Sequence, residues 1–364
     1  MRKGALLLVL LLLFLVVFSL ILQSVKGKIG RDFTRGLPRV SDPVVTTGPS
    51  VAQEKVTRSL FVPYWTVSNA QIDTSGYDTV IYFGITPTLE GIDENEMGYK
   101  KLALFQQHVR SSDRLLTLRM LDRETNLAIL KSKDAQEAII EETIILAKDY
   151  GFSGVVLDLE LSALPFDSLL RQVTEFSSNF SQSIKENDLS FAMTLYGDTF
   201  YRLRPFDVKA LEKNVPSFLI MAYDFHKAAG NPGPNFPLSG KDTYGYDYQT
   251  MLTSFLQYIP PAKLGIIYGM YGYDWEINSS GKAVTSAKAR SYQEIEKNII
   301  ARCSELECKR EKDMQSTEMK ITYTDTENKK HVIWFEDQES VKKKEALAKK
   351  MGIGTFSFWA YSYF

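Results

Sequence analysis

The strongest constraint on this chain is a rhythm. Short apolar runs, each long enough for one strand, alternate with longer stretches whose apolar residues recur at helical spacing. The runs are Leu60–Trp65, Thr79–Gly84, Arg114–Arg119, Gly154–Glu160, Ser190–Tyr196, Phe218–Asp224, Leu264–Met270 and Gly354–Trp359. After Phe166, the residues Leu169, Val173, Phe176, Phe180 and Ile184 share one helical face. After Asp134, with Glu137 as the expected capping partner, Ile140, Ile144 and Ala147 do the same. Strands separated by helices pair in parallel. Eight of them over roughly 300 residues predict an α/β fold, a closed (β/α)8 TIM barrel spanning residues 59–364. A doubly wound open sheet is the alternative, but no Gly-rich phosphate or dinucleotide loop follows the first run.

One segment breaks the rhythm. Residues 276–333 have no place in a simple repeat and read as a small α+β insertion after the seventh strand. A helix is expected from Ser291 to Arg302, and a hairpin of Met319–Thr324 with His331–Phe335 around Glu327-Asn328-Lys329-Lys330. At the other end, Arg2 and Lys3 precede an apolar run from Ala5 to Leu22, broken only by Ser19 and followed by no small-x-small cleavage site. Residues 1–22 therefore read as an uncleaved signal anchor spanning a membrane, with a cleaved signal peptide as the alternative. Residues 23–58, rich in Gly, Pro, Ser, Thr and Val without periodicity, read as a flexible stalk. This arrangement predicts a barrel held outside the cytoplasm at the cell surface, or secreted if the leader is removed.

Charge narrows the function. With 43 Lys and Arg against 44 Asp and Glu, there is no basic excess to neutralise phosphates, so nucleic acid is not an expected partner. Cys303 and Cys308 are the only cysteines, and the three histidines are scattered. No metal site and no cofactor are expected. A Cys303–Cys308 disulfide and two free thiols are both compatible with the spacing.

The chemistry concentrates at strand ends. In Gly154-Val155-Val156-Leu157-Asp158-Leu159-Glu160, alternation puts Val156, Asp158 and Glu160 on one face and Val155, Leu157 and Leu159 on the other. Carboxylates pointing into a barrel are expensive unless solvated or used, and Glu160 lies at the catalytic end. Neighbouring carboxylates raise one another's pKa, as a general acid requires. A strand-end salt bridge explains the alternation equally well. Tyr223 and Asp224 close the sixth strand. Tyr64, Trp65, Tyr82, Met221, Trp275 and Trp359 lie on or next to other strands, several of them aromatic platforms suited to sugar rings.

Gly151–Glu160 resembles the Asp-Gly-x-Asp-x-Asp-x-Glu signature of glycoside hydrolase family 18, the chitinase-like barrels. Met221-Ala222-Tyr223-Asp224 is similar to that family's Met-x-Tyr-Asp strand, and Trp359 to its last-strand tryptophan. Within the family the chain looks most like the bacterial spore-cortex and cell-wall N-acetylglucosaminidase-like branch. The resemblance implies retaining hydrolysis of an N-acetylglucosamine-containing glycan, peptidoglycan or chitin, in which the substrate's own acetamide attacks. It implies Glu160 as proton donor, Asp158 as the group that orients the acetamide, and Tyr223 and Asp224 as its supports. It further implies Trp359 under the sugar; Tyr64, Trp65, Tyr82, Met221 and Trp275 are expected as further substrate-binding residues. Two positions depart from the signature. Ser153 stands for its first Asp and Val156 for its second, so Asp158 loses an acidic neighbour. That departure keeps open a lectin-like, non-catalytic member of the fold, although such members typically lose the acid that Glu160 retains. A tethered scaffold that binds no glycan is a third alternative.

Overall fold

The computed structural model describes residues 56–109 and 113–364. Eight parallel strands close into one barrel: β1 (Thr57–Pro63), β2 (Thr79–Ile85), β3 (Arg114–Met120), β4 (Gly154–Leu159), β5 (Ser190–Tyr196), β6 (Phe218–Ala222), β7 (Leu264–Gly269) and β8 (Thr355–Trp359). Each pairs with its neighbours in chain order, and β1 pairs with β8, Leu60 opposite Phe358. The open-sheet alternative is excluded by that closure. The first strand begins at Thr57, two residues ahead of the expected stalk boundary. The expected signal anchor, and all but the last residues of the stalk, lie outside the described residues. Among the described residues no helix is long and apolar enough to cross a membrane, and no group of three or more His, Cys, Asp or Glu could hold a metal.

Two apolar layers follow from strand alternation. Outward residues such as Val155, Leu157 and Leu159 join the main core under the helices. Inward residues form a separate plug of Phe61, Ile81, Phe83, Val156, Ala192, Leu219, Met221 and Ile267. The helix Asp167–Glu186 buries Leu169, Val173, Phe176, Phe180 and Ile184 as its spacing predicts. The helix Lys133–Asp149 starts two residues earlier than its charges suggest. Ser132, rather than Asp134, caps it by accepting from the Ala135 amide at 3.2 Å.

The insertion is wider than its sequence boundaries. Five antiparallel strands run in the order Lys288–Ser291, Tyr271–Glu276, Lys330–Phe335, Met319–Thr324 and Lys309–Lys312. The first of these in sequence starts at Tyr271, one residue after β7 ends, and pairs antiparallel with Lys330–Phe335. The expected single helix is a helix Tyr292–Asn298 followed by a short 3-10 turn Ile300–Arg302. Cys303 and Cys308 form a disulfide, with Cα atoms 5.0 Å apart.

A buried ionic clamp ties this sheet to the barrel. The fully buried Lys344, on the helix Gln338–Lys350, donates to Glu318 at 2.9 Å and also to Glu336. Glu318 in turn accepts the backbone amides of Asn235, at 2.5 Å, and Phe236, at 2.8 Å. Asn235 accepts the Asp224 amide at 2.8 Å, which reaches the end of β6.

Candidate active site

Glu160 stands just past the end of β4, half-buried, its carboxylate accepting the Tyr196 hydroxyl at 2.9 Å. Asp158, two residues back on the same inner face, is only 3 % exposed and accepts the Thr194 hydroxyl. Thr194 and Tyr196 are the last inward residues of β5, so one strand supplies donors to both acids. Burial, and then the charge of Glu160, push Asp158 up to about 7. Burial also raises Glu160, opposed by the Tyr196 hydrogen bond and the positive charge of Lys227.

Tyr223 and Asp224 follow β6. Burial, then the charges of Asp158, Glu160 and Asp224, hold the Tyr223 hydroxyl far above its ordinary range, so it is a neutral donor at any working pH. Asp224 has a left-handed backbone, φ 57°. Its carboxylate accepts the hydroxyls of Tyr273, at 2.8 Å, and of Tyr271. Glu160, Tyr223, Asp224 and Met221 line one cavity of about 50 Å³ with Tyr196, Asp198, Arg204 and Lys227. Four residues expected from sequence thus share a wall.

Trp359 and Trp65 border an adjoining part of the mouth. Trp359 is held edge-on against Phe83, with ring centroids 4.7 Å apart, and against Trp65 at 6.1 Å. Both line a groove of about 560 Å³ with Tyr271, Arg290, Glu294 and Tyr363. Tyr64 sits beside Trp65, centroids 5.1 Å apart, with the Arg119 guanidinium 5.0 Å over its ring.

Two expected binding residues lie elsewhere. Tyr82 is fully buried on the outward face of β2, packed on Phe105 at 4.6 Å, with its hydroxyl bonded to the Gly98 carbonyl. Alternation explains this, since Ile81 and Phe83 are the inward residues. Trp275 is fully buried in the insertion sheet against Val332 and Trp334. Closeness in sequence to the end of β7 does not bring it to the mouth, because the strand Tyr271–Glu276 carries it away. Thr194, Tyr196, Arg204 and Lys227 were not singled out from sequence. For Thr194 and Tyr196 the signal existed: both end a strand with the parity of its inward face.

Val156 points inward into the apolar plug and is fully buried. Across the ladder it faces Thr117, whose buried hydroxyl has no partner among the described residues.

A closed parallel barrel with paired carboxylates at the C-terminal end of β4 and an aromatic mouth defines a class of carbohydrate-active barrels. Residues 61–363 match the family described as Glycosyl hydrolases family 18, and the chain belongs to it. It is 26 % identical over 251 residues to a cortical fragment-lytic enzyme of Bacillus anthracis, covering 64 % of this chain and 51 % of that protein. It is 23 % identical over 278 residues to a class V chitinase of Arabidopsis thaliana, covering 69 % of this chain and 73 % of that one. Its fold is similar to that of the Bacillus cereus spore cortex-lytic enzyme SleL, with TM-score 0.69, 21 % identity, and 86 % of this chain and 73 % of that one covered. The chain thus spans about half the length of the Bacillus anthracis relative.

Proposed function

We propose that this barrel hydrolyses β-linked N-acetylglucosamine-containing glycans with retention, the substrate's acetamide serving as nucleophile. The observation that carries this reading is the pair Asp158–Glu160: two inward carboxyls, one at the mouth and one beneath it, both raised in pKa, with separate hydroxyl donors. Burial favours the protonated form of Asp158. An acetamide N–H donating to Asp158 stabilises the carboxylate there and leaves the proton to Glu160. Glu160 then protonates the glycosidic oxygen and later takes a proton from the incoming water. Tyr223, a permanent donor, binds the acetamide oxygen, and Asp224 fixes that side of the site through Tyr271 and Tyr273. Trp359 provides the apolar floor, and Trp65, Tyr64 and Met221 extend it.

The relatives named as cortex-lytic enzymes favour a cortex or cell-wall glycan as substrate, and the apolar run of residues 1–22 favours action outside the cytoplasm with that segment as the tether. A second reading, binding without turnover, is favoured by Val156, which leaves Asp158 without an acidic neighbour below it. The test is incubation of the full-length chain and its Glu160→Gln variant with N-acetylglucosamine oligomers and with peptidoglycan. Wild-type product, reduced at least a hundredfold in the variant, supports hydrolysis. Equal product from both removes Glu160 from the chemistry, and binding without product in either establishes the second reading.

A further inference from the structure

The barrel mouth carries a concentration of positive charge that hydrolysis of a neutral sugar does not need. Arg202 and Arg204 follow β5, and Lys227 follows β6. With Ser162, Ala163 and Leu164, the residues just after Glu160, they line a cavity of about 440 Å³. Arg204 and Lys227 also line the cavity that holds Glu160, so the two spaces adjoin.

Among the described residues, no carboxylate lines the larger cavity. Asp198 is the acid that engages this group. It accepts from Arg204 at 2.9 and 3.0 Å and from Arg202 at 3.1 Å. One carboxylate shared by two guanidinium groups leaves a positive surplus on this cavity; Lys227 makes no ion pair among the described residues, and its charge acts on Glu160 across the adjoining cavity, where Asp224 also lies. The cations are also held in place. Arg204 lies 4.0 Å from the Tyr196 ring centroid and donates to the Ser162 hydroxyl at 3.0 Å, and Arg202 donates to the Phe225 carbonyl at 2.7 Å.

This placement works against Glu160 as an acid, because Lys227 and Arg204 favour its charged form. A ligand anion seated among the three cations neutralises that effect and leaves the acid protonated when the bond is to be cleaved. Leu164, 66 % exposed at the lip, offers hydrocarbon to a short aliphatic arm.

We infer that Arg202, Arg204 and Lys227 form a subsite for a carboxylate carried by the glycan, so that the site selects acidic N-acetylhexosamine polymers over neutral ones. The inference rests on the glycan-binding reading above. Two carriers share this chemistry, a lactyl ether on the sugar and a peptide stem.

The test compares three forms of one N-acetylhexosamine tetrasaccharide: with free lactyl carboxylates, with those carboxylates methyl-esterified, and with acidic peptide stems. Affinities are measured by calorimetry on the full-length Glu160→Gln protein, and turnover on the full-length wild type. We expect the lactyl acid or the stem form to bind about fivefold tighter than the ester, the scale of a partly desolvated charge pair. Adding Lys227→Gln reduces that ratio to near one, and Lys227→Arg retains it. Preference for the lactyl acid places the carboxylate on the sugar, and preference for the stem form alone places it on the peptide. Equal affinity for all three, or a ratio unmoved by Lys227→Gln, overturns the inference. Product formation by the wild type reports separately on hydrolysis, so either idea can fail alone.

Discussion

Replacing Tyr196 by Phe isolates the one hydrogen bond that the Glu160 carboxylate makes among the described residues. The Tyr196 hydroxyl donates to the Glu160 carboxylate at 2.9 Å, and the bond favours the charged form. A hydrogen bond to a charged group is worth about 1.5–3 kcal/mol. The protonated carboxyl still accepts through its carbonyl oxygen, so only the difference acts on the pKa. Taking about half, at 1.36 kcal/mol per unit, gives a rise of about one unit. The ring remains, and with it the Arg204 contact at 4.0 Å, so the fold changes little. The measurement is the pH dependence of kcat/KM on an N-acetylglucosamine oligomer. Glu160 must be protonated to act as acid, so raising its pKa moves the alkaline limb upward, by about one unit. An alkaline limb that stays in place, or moves down, with unchanged thermal stability refutes the assignment of Glu160 as the titrating acid.

Two further substitutions probe the frame behind the site. Val156→Asp introduces a carboxylate into the apolar plug, where the Thr117 hydroxyl is the nearest donor by register. It is expected to lower stability by about 3 kcal/mol at pH 8 and by less at pH 5, where the new carboxyl is protonated. Thermal melts at the two pH values that coincide with wild type would contradict this. Lys344→Met leaves Glu318 and Glu336 buried without their cation, at a cost of about 3–5 kcal/mol. Glu336 already stands at about 7 through burial. Without Lys344 it rises further, so the loss is greatest at alkaline pH and is relieved as pH falls. A loss independent of pH would show that packing, not charge, is at stake.

The barrel was legible in the sequence because its strands are buried on both faces and separated by helices. Each of the eight apolar runs therefore marks a strand, with errors of one to three residues at the ends. The acid pair was legible for a related reason: period-two alternation is binary, and a carboxyl at an inward position stands out against Val and Leu. The same rule, applied to β2, places Tyr82 outward, so the identity of an aromatic is a weaker guide than its parity. Trp275 misled for a different reason. Its position is set by a strand of the insertion sheet, whose pairing with Lys330–Phe335 spans more than fifty residues of sequence and leaves no local trace. Lys227 and Arg204 were hidden because surface lysines and arginines are common, and only closure of the barrel brings two loops together beside Glu160.

Val156 shifts the electrostatic problem from below the acids to beside them. A carboxyl at that position would share protons with Asp158 from within the barrel. An apolar side chain confines the titration to Asp158 and Glu160, with Thr194 and Tyr196 as their donors. The charges that adjust Glu160 then come from the rim, Lys227 and Arg204 on one side and Asp224 with its two tyrosines on the other, while Arg119 across the ladder acts on Asp158. Rim groups are reached by substrate, whereas barrel-floor groups are not. The protonation of Glu160 is therefore open to control by what binds in the mouth, which is the physical basis for expecting the charge of the glycan to matter here.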